Sequence, residues 1–243
     1  MRVLLSVLFG LLLLKPVRAD GVAPVVSPVV MSTQIGPPHS FIESVEPEEP
    51  PPETVMLDMV VEPTERLTSK ILFVIDVSGS MKGEPLGRAL GMVAEVVEQP
   101  LDDLEIGIIS FADATNRWPG YRGPKDEDLP DGWGRLPSAQ TLASAKAWIQ
   151  SWRGGGGTDP LGAIATAINE NRKDLSVVLV TDGDFPAETA LAAFRGSLKA
   201  REAAGLGKVV FMVLGVGSAS PKQSHMVNMA REGGGGYFIQ EKR

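Results

Sequence analysis

Where one apolar run of the chain ends, oxygen-bearing side chains stand at alternate positions: Asp76, Ser78 and Ser80, within Ile71-Leu72-Phe73-Val74-Ile75-Asp76-Val77-Ser78-Gly79-Ser80-Met81-Lys82. With Gly79 between the serines, one carboxylate and two hydroxyls can turn into a single small space. The set contains neither nitrogen nor sulfur. Hard oxygens of this kind suit Mg²⁺, which takes one or two carboxylates and keeps some waters. Three ligands are too few, and two later segments offer more. One is Gly154-Gly155-Gly156-Gly157-Thr158-Asp159-Pro160, which opens a helix, and the other is Val177-Val178-Leu179-Val180-Thr181-Asp182-Gly183, a second apolar run ending on an acid.

Each segment taken alone has a plainer meaning, because Ser, Thr and Asp are the preferred helix caps. Ser78 could cap the first helix, Thr158 or Asp159 the third, and Asp182 or Asp184 the fourth. Asp76 has no helix of its own to cap. Two carboxylates about 5 Å apart repel by roughly 3 kcal/mol at an effective dielectric of 20, and a divalent cation turns that repulsion into attraction.

The elements that must position these residues alternate along the chain. Apolar runs too short for ordinary helices read as buried strands at 70–75, 105–111, 176–181, 208–214 and 237–240. Between them, apolar residues at helical spacing predict helices from Glu84 to before Pro100, from Ser138 to Trp152, from Leu161 through Ile168, from Pro186 to about Ala203, and from Pro221 to Arg231. Thr115 to Trp118 is expected to fold back as a short antiparallel edge strand. A long Gly/Pro loop, 119–137, follows, its Tyr121 and Trp133 expected to cover the sheet edge. Val55 to Val61 is either a further edge strand or a lead-in. Strands alternating with helices imply an α/β fold, a doubly wound and mostly parallel sheet with helices on both faces, and in such sheets ligands bind at the strands' C-terminal ends.

DxSxS after the first buried strand, Thr in a GGT turn and Asp in TDG after a later strand together resemble the metal-ion-dependent adhesion site (MIDAS) of von Willebrand factor type A (vWA) domains. The resemblance covers roughly residues 68 to 240 and implies a Rossmann-like fold with one short antiparallel edge strand. It implies that Ser78 and Ser80 bind the ion directly, Thr158 directly or through water, and Asp76 and Asp182 largely through water. One coordination position is then left for a carboxylate from a partner protein. Mg²⁺ is the implied cofactor, with Mn²⁺ as a substitute. Asp113, Asp159 and Asp184 match no ligand position and are expected to be caps or outer acids.

Length and charge set the remaining bounds. A chain of 243 residues, 43% hydrophobic, holds one ordinary domain with appendages. Residues 1–19 read as an export signal, with Arg2, an apolar core from Val3 to Leu14 and Val17-Arg18-Ala19 at the cleavage site. That core is shorter than the roughly 20 residues that span a bilayer. Secretion or a periplasmic location follows, and an uncleaved signal anchor touching the membrane is the alternative. Residues 20–54 are Pro-rich and acidic, notably Glu46-Pro47-Glu48-Glu49-Pro50-Pro51-Pro52-Glu53, and read as a disordered, extended tether ahead of a domain at 55–243 whose core begins near 68. Cysteine is absent, which excludes disulfides. Without the signal the chain carries 20 basic residues against 30 acidic ones, a charge of −10 with no footprint for nucleic acid or anionic lipid.

The sequence therefore points to an exported, non-enzymatic adhesion or assembly module that binds a partner's Asp or Glu through Mg²⁺, with no small-molecule substrate. A Mg²⁺-dependent hydrolase or phosphatase is the alternative from another class. An aspartyl-nucleophile phosphatase would want a second Asp where Ser78 stands. Neither GxxxxGK[ST] nor GxSxG is present. The two histidines, His39 and His225, fall in the tether and on a late helix, and Lys82 reads as a solvated loop residue. A scaffold subunit with an unused metal site is the third reading.

Overall fold

The apolar run carrying Asp76 forms a strand because its β-branched and aromatic side chains meet an apolar layer on each side. In this computed structural model the described residues are 57–97, 103–123, 126, 128–216 and 224–240, so the expected signal and tether lie outside them. In chain order they form β1 (Leu57–Val61), β2 (Lys70–Asp76), α1 (Glu84–Val97), β3 (Leu104–Phe111), β4 (Thr115–Arg117), β5 (Trp133–Leu136) and α2 (Ala139–Gln150). There follow α3 (Leu161–Ile168), β6 (Leu175–Thr181), α4 (Ala187–Ala203), β7 (Val209–Gly215), α5 (Ser224–Glu232) and β8 (Gly234–Gln240).

The sheet runs in the order β1-β8-β7-β6-β2-β3-β4, with β5 also on β3. β3, β2, β6, β7 and β8 are mutually parallel. From β2 the chain winds outward through β3 in one direction and, beginning with β6, in the other. The winding therefore reverses between β2 and β6, which makes that gap the crevice where such sheets take ligands. Alternate residues serve opposite layers. Phe73, Ile75, Val178 and Val180 pack with Leu86, Ala89 and Val93 of α1 and with Ala145 and Ile149 of α2. Leu72, Val74, Val177 and Leu179 pack with Ile164 and Ile168 of α3, Phe194 of α4 and Met226 and Met229 of α5.

The edges settle three points that the sequence left open or misread. First, residues 119–137 are not all loop. β5 pairs Trp133–Leu136 with Gly107–Leu104, while β4 pairs with Ile109–Phe111, so two short antiparallel strands share one edge of β3. Burial accounts for this. Trp118 and Trp133 are fully enclosed, and their ring N–H groups donate to Ser144 Oγ (3.2 Å) and Glu170 Oε1 (3.1 Å). Second, of the two alternatives for the stretch ahead of Glu62, the edge strand is the one observed: β1 is antiparallel to β8, with Met59 exposed on it. Third, β8 begins at Gly234 rather than 237. Glycine allows the earlier start, because a Cβ on Gly235 would lie 2.2 Å from the Phe211 carbonyl oxygen.

At the pole away from Asp76, the buried Arg201 of α4 donates to the carbonyls of Ile168, Glu170, Arg172, Leu206 and Gly207 at 2.6–3.0 Å. One guanidinium thus closes the loops that follow α3 and α4.

Candidate metal centre

Asp76 ends β2 and Thr181 ends β6, each one residue beyond the paired Ile75 and Val180. That register places the Thr181 hydroxyl against Asp76, and it donates to Oδ2 at 2.7 Å. The backbone N–H of Ser78 donates to Oδ1 at 2.9 Å. Thr181 Oγ1 in turn accepts from the Gly183 N–H at 2.9 Å. Asp76 is wholly buried, and burial pushes its carboxyl above the ordinary range. The bonds from Ser78 and Thr181 oppose that rise, and the charge of Asp182 adds to it.

The serine loop turns its hydroxyls together, Ser78 buried and Ser80 exposed, with 3.1 Å between the two Oγ atoms. Neighbouring ligands of an octahedral Mg²⁺ with bonds of 2.0–2.1 Å stand about 2.9 Å apart. The pair is thus spaced to share one cation. Asp182 is buried beside Thr181, its Oδ1 accepting from the Asp184 N–H at 3.1 Å, while Asp184 itself is exposed.

Thr158 arrives on the glycine loop, which is docked on the serine loop by two backbone bonds. Gly79 N–H donates to Gly156 O (3.1 Å), and Gly155 N–H to Val77 O (2.8 Å). Gly156 holds φ +85°, and a Cβ there would lie 2.3 Å from Asp113 Oδ2. On either side of Thr158 the loop is pinned: Gly157 N–H donates to Asp113 Oδ1 at 2.7 Å, and Asp159 N–H to Ala112 O at 2.9 Å. The N-cap position of α3 is Pro160, and Asp159 ahead of it accepts from the Leu161 N–H through Oδ1 at 3.1 Å. Thr158 is half-buried.

All five expected residues therefore lie on segments that meet at the β2–β6 crevice. Asp76, Ser78, Ser80 and Asp182 are joined directly or through Thr181, and Thr158 is joined through its loop. Thr181 is the contributor that the sequence did not single out, while Asp113, expected as a cap or outer acid, serves as an outer acid that holds the glycine loop. Thr181 precedes Asp182 and would have emerged once β2 and β6 were known to be neighbours. Which group Asp113 would hold carried no local signal, because its partner lies 44 residues away. Among the described residues no three His, Asp or Glu side chains gather in a metal-holding group. Three hydroxyls and two acids make up the set instead, a donor chemistry that fits a small hard cation.

Residues 69–239 match the family model described as the von Willebrand factor type A domain. No curated protein matches the chain by sequence. Among solved structures, a von Willebrand factor type A protein from Catenulispora acidiphila superposes with a TM-score of 0.52 at 17% identity, over 74% of this chain and 40% of that one. An aerotolerance-related membrane protein from Bacteroides fragilis aligns over 72% of this chain and 92% of its own, at 21% identity and a TM-score of 0.49. BatB, a conserved hypothetical protein from Bacteroides thetaiotaomicron, aligns over 72% and 91%, at 17% identity and a TM-score of 0.49.

Proposed function

This chain belongs to the von Willebrand factor type A family, and on that premise we propose that it is a binding module whose crevice holds Mg²⁺ and takes a carboxylate from a protein ligand. The observation that carries the reading is the Ser78–Ser80 hydroxyl pair, 3.1 Å apart above a buried, hydrogen-bonded Asp76. Ser78 and Ser80 would hold the ion directly, Thr158 directly or through water, and Asp76 and Asp182 largely through water. When bound, the ion supplies the positive charge that the two acids lack and a coordination position open to an anion. The chain's own residues do the rest. Thr181 and the Ser78 N–H fix the Asp76 carboxylate, while Asp113 and Ala112 hold the Thr158 loop against the serine loop. Because the directly bound oxygens are neutral, little of the ion's charge is cancelled, which favours an anionic ligand.

We read the module as non-enzymatic. His225 is buried with its ring 5.0 Å from Phe185, placed for packing rather than as a base, and no other histidine is among the described residues. The signal-like residues 1–19 support export to the periplasm or medium, with membrane contact if that segment is kept.

The test is association with a carboxylate-bearing protein ligand, measured with Mg²⁺ or Mn²⁺ and with EDTA. Binding should require the metal and vanish in Thr158→Ala even where the ion is still held, and changing one ligand Asp or Glu to its amide should cost about as much as removing the metal. Metal-dependent turnover of phosphate esters, lost in Asp76→Asn, would overturn the reading in favour of a hydrolase.

A further inference from the structure

We propose, resting on the metal reading above, that His225 is a positioning residue for the metal centre, fixing the Gly183–Asp184 peptide and through it the carboxylate of Asp182. The argument starts from a cost. His225 stands in the first turn of α5, buried, with its ring edge-on to Phe185 at 5.0 Å. Its Nε2 is enclosed and meets no hydrogen-bond partner among the described residues. A buried polar atom without a partner is destabilising, and packing on Phe185 would be served as well by an apolar ring. What an apolar ring cannot supply is the other nitrogen.

That nitrogen reaches the turn that carries Asp182. Burial pushes the His225 imidazole below its ordinary range, and a hydrogen bond with the Gly183 backbone opposes that shift. A bond that favours the protonated ring is one in which the ring N–H donates and the carbonyl accepts. With Nε2 unpartnered, the donor is Nδ1. The Gly183 carbonyl also accepts from the Phe185 N–H at 2.9 Å, but that bond lies inside the turn and moves with it. The bond from His225 anchors the turn to α5.

One peptide group carries the effect onward. The carbonyl of Gly183 and the N–H of Asp184 belong to the same rigid trans plane and point in opposite directions. The Asp184 N–H donates to Asp182 Oδ1 at 3.1 Å. Holding the carbonyl on His225 therefore aims the N–H at the carboxylate. The plane needs holding, because Gly183 sits at φ +76° and glycine allows the peptide beyond it to turn over. Turned over, it would present its carbonyl to Asp182, acceptor against acceptor. Thr181 orients one acid of the set, and His225 orients the other through this peptide.

Two substitutions separate the nitrogen from the ring. His225→Phe keeps a ring and removes both nitrogens, while the Gly183 carbonyl still has the Phe185 N–H. His225→Asn keeps an amide N–H near the Nδ1 position and removes the ring. Calorimetric titration of the full chain with Mn²⁺, and urea unfolding in EDTA, are run on both variants and on Asp76→Asn. His225→Phe should bind Mn²⁺ about tenfold more weakly, with an unfolding midpoint no lower than that of the unaltered chain. His225→Asn should show the reverse pattern, most of the affinity kept and the midpoint lowered. Unchanged affinity in His225→Phe, with binding still lost in Asp76→Asn, sinks the positioning role and leaves the metal site standing. Affinity that falls equally in both variants, or only together with the unfolding midpoint, assigns His225 to ring packing and overturns the proposal. Binding that is absent from the unaltered chain, or indifferent to Asp76→Asn, overturns the metal reading and this role with it.

Discussion

Thr181 Oγ1 lies 2.7 Å from Asp76 Oδ2 and joins the ends of two neighbouring parallel strands by one charge-assisted bond. That bond orients the carboxylate without occupying the serine hydroxyls. Thr181→Val keeps the shape and removes the donor. It should weaken Mn²⁺ binding about 10- to 100-fold, the usual cost of losing a partner that orients a metal-site residue. Thr181→Ser should restore most of the affinity. Calorimetric titration of both variants checks this, and Thr181→Val with unchanged affinity would mean that Ser78 alone orients Asp76.

Burial raises the Asp76 pKa, which gives the metal-free protein a definite pH dependence. A carboxyl raised on folding contributes stability that is complete below its unfolded value, near 3.8, and is lost as pH rises through the folded value. In EDTA, the stability difference between Asp76→Asn and the unaltered protein should therefore grow in favour of the variant as pH rises from about 4 toward neutrality. Mg²⁺ should reverse the ranking at neutral pH, since it stabilises the form that binds it. Urea unfolding across pH, with and without Mg²⁺, reads both, and an Asp76→Asn protein less stable in EDTA at pH 7 would contradict the assignment.

The glycine loop separates backbone demands from helix preference. Gly156→Ala must accept φ +85° and a contact with Asp113, and should cost about 2 kcal/mol while lowering Mn²⁺ affinity. Gly91→Ala in α1 meets nothing within 4 Å and should stabilise by roughly 0.5–1 kcal/mol with metal binding unaltered. Equal effects of the two substitutions would show that the loop relaxes freely.

Much of this was legible because each buried strand announces itself by an unbroken apolar run, and because Asp76, Ser78, Ser80, Thr158 and Asp182 sit at the ends of such runs or in a glycine turn. What stayed hidden depends on pairing between distant residues. Trp133 reads as a loop aromatic until β3 lies alongside it, and the strand expected at 237–240 gains Gly234 to Gly236 only because β7 closes on Gly235. The Asp76–Thr181 bond exists only because β6 adds next to β2, an adjacency that local periodicity does not encode.

Arg201 offers a test far from the metal. Its planar fork meets five carbonyls, whereas a lysine ammonium has three donors on one atom. Arg201→Lys should lower stability by on the order of 3 kcal/mol, with Mn²⁺ affinity preserved in the folded fraction. Thermal melts and metal titration of the same sample separate the two effects.

The two edges of the sheet set how many partners the fold can add by strand pairing. On the β3 side, β4 and β5 are three and four residues long and the chain turns away between them, so an incoming strand finds no continuous ladder there. The opposite edge, β1, is five residues long with Met59 exposed on it. A sheet that can be extended from one side has a valence of one. Among the described residues, two copies meeting along β1 would use up that ladder, so strand pairing through these edges closes at a dimer.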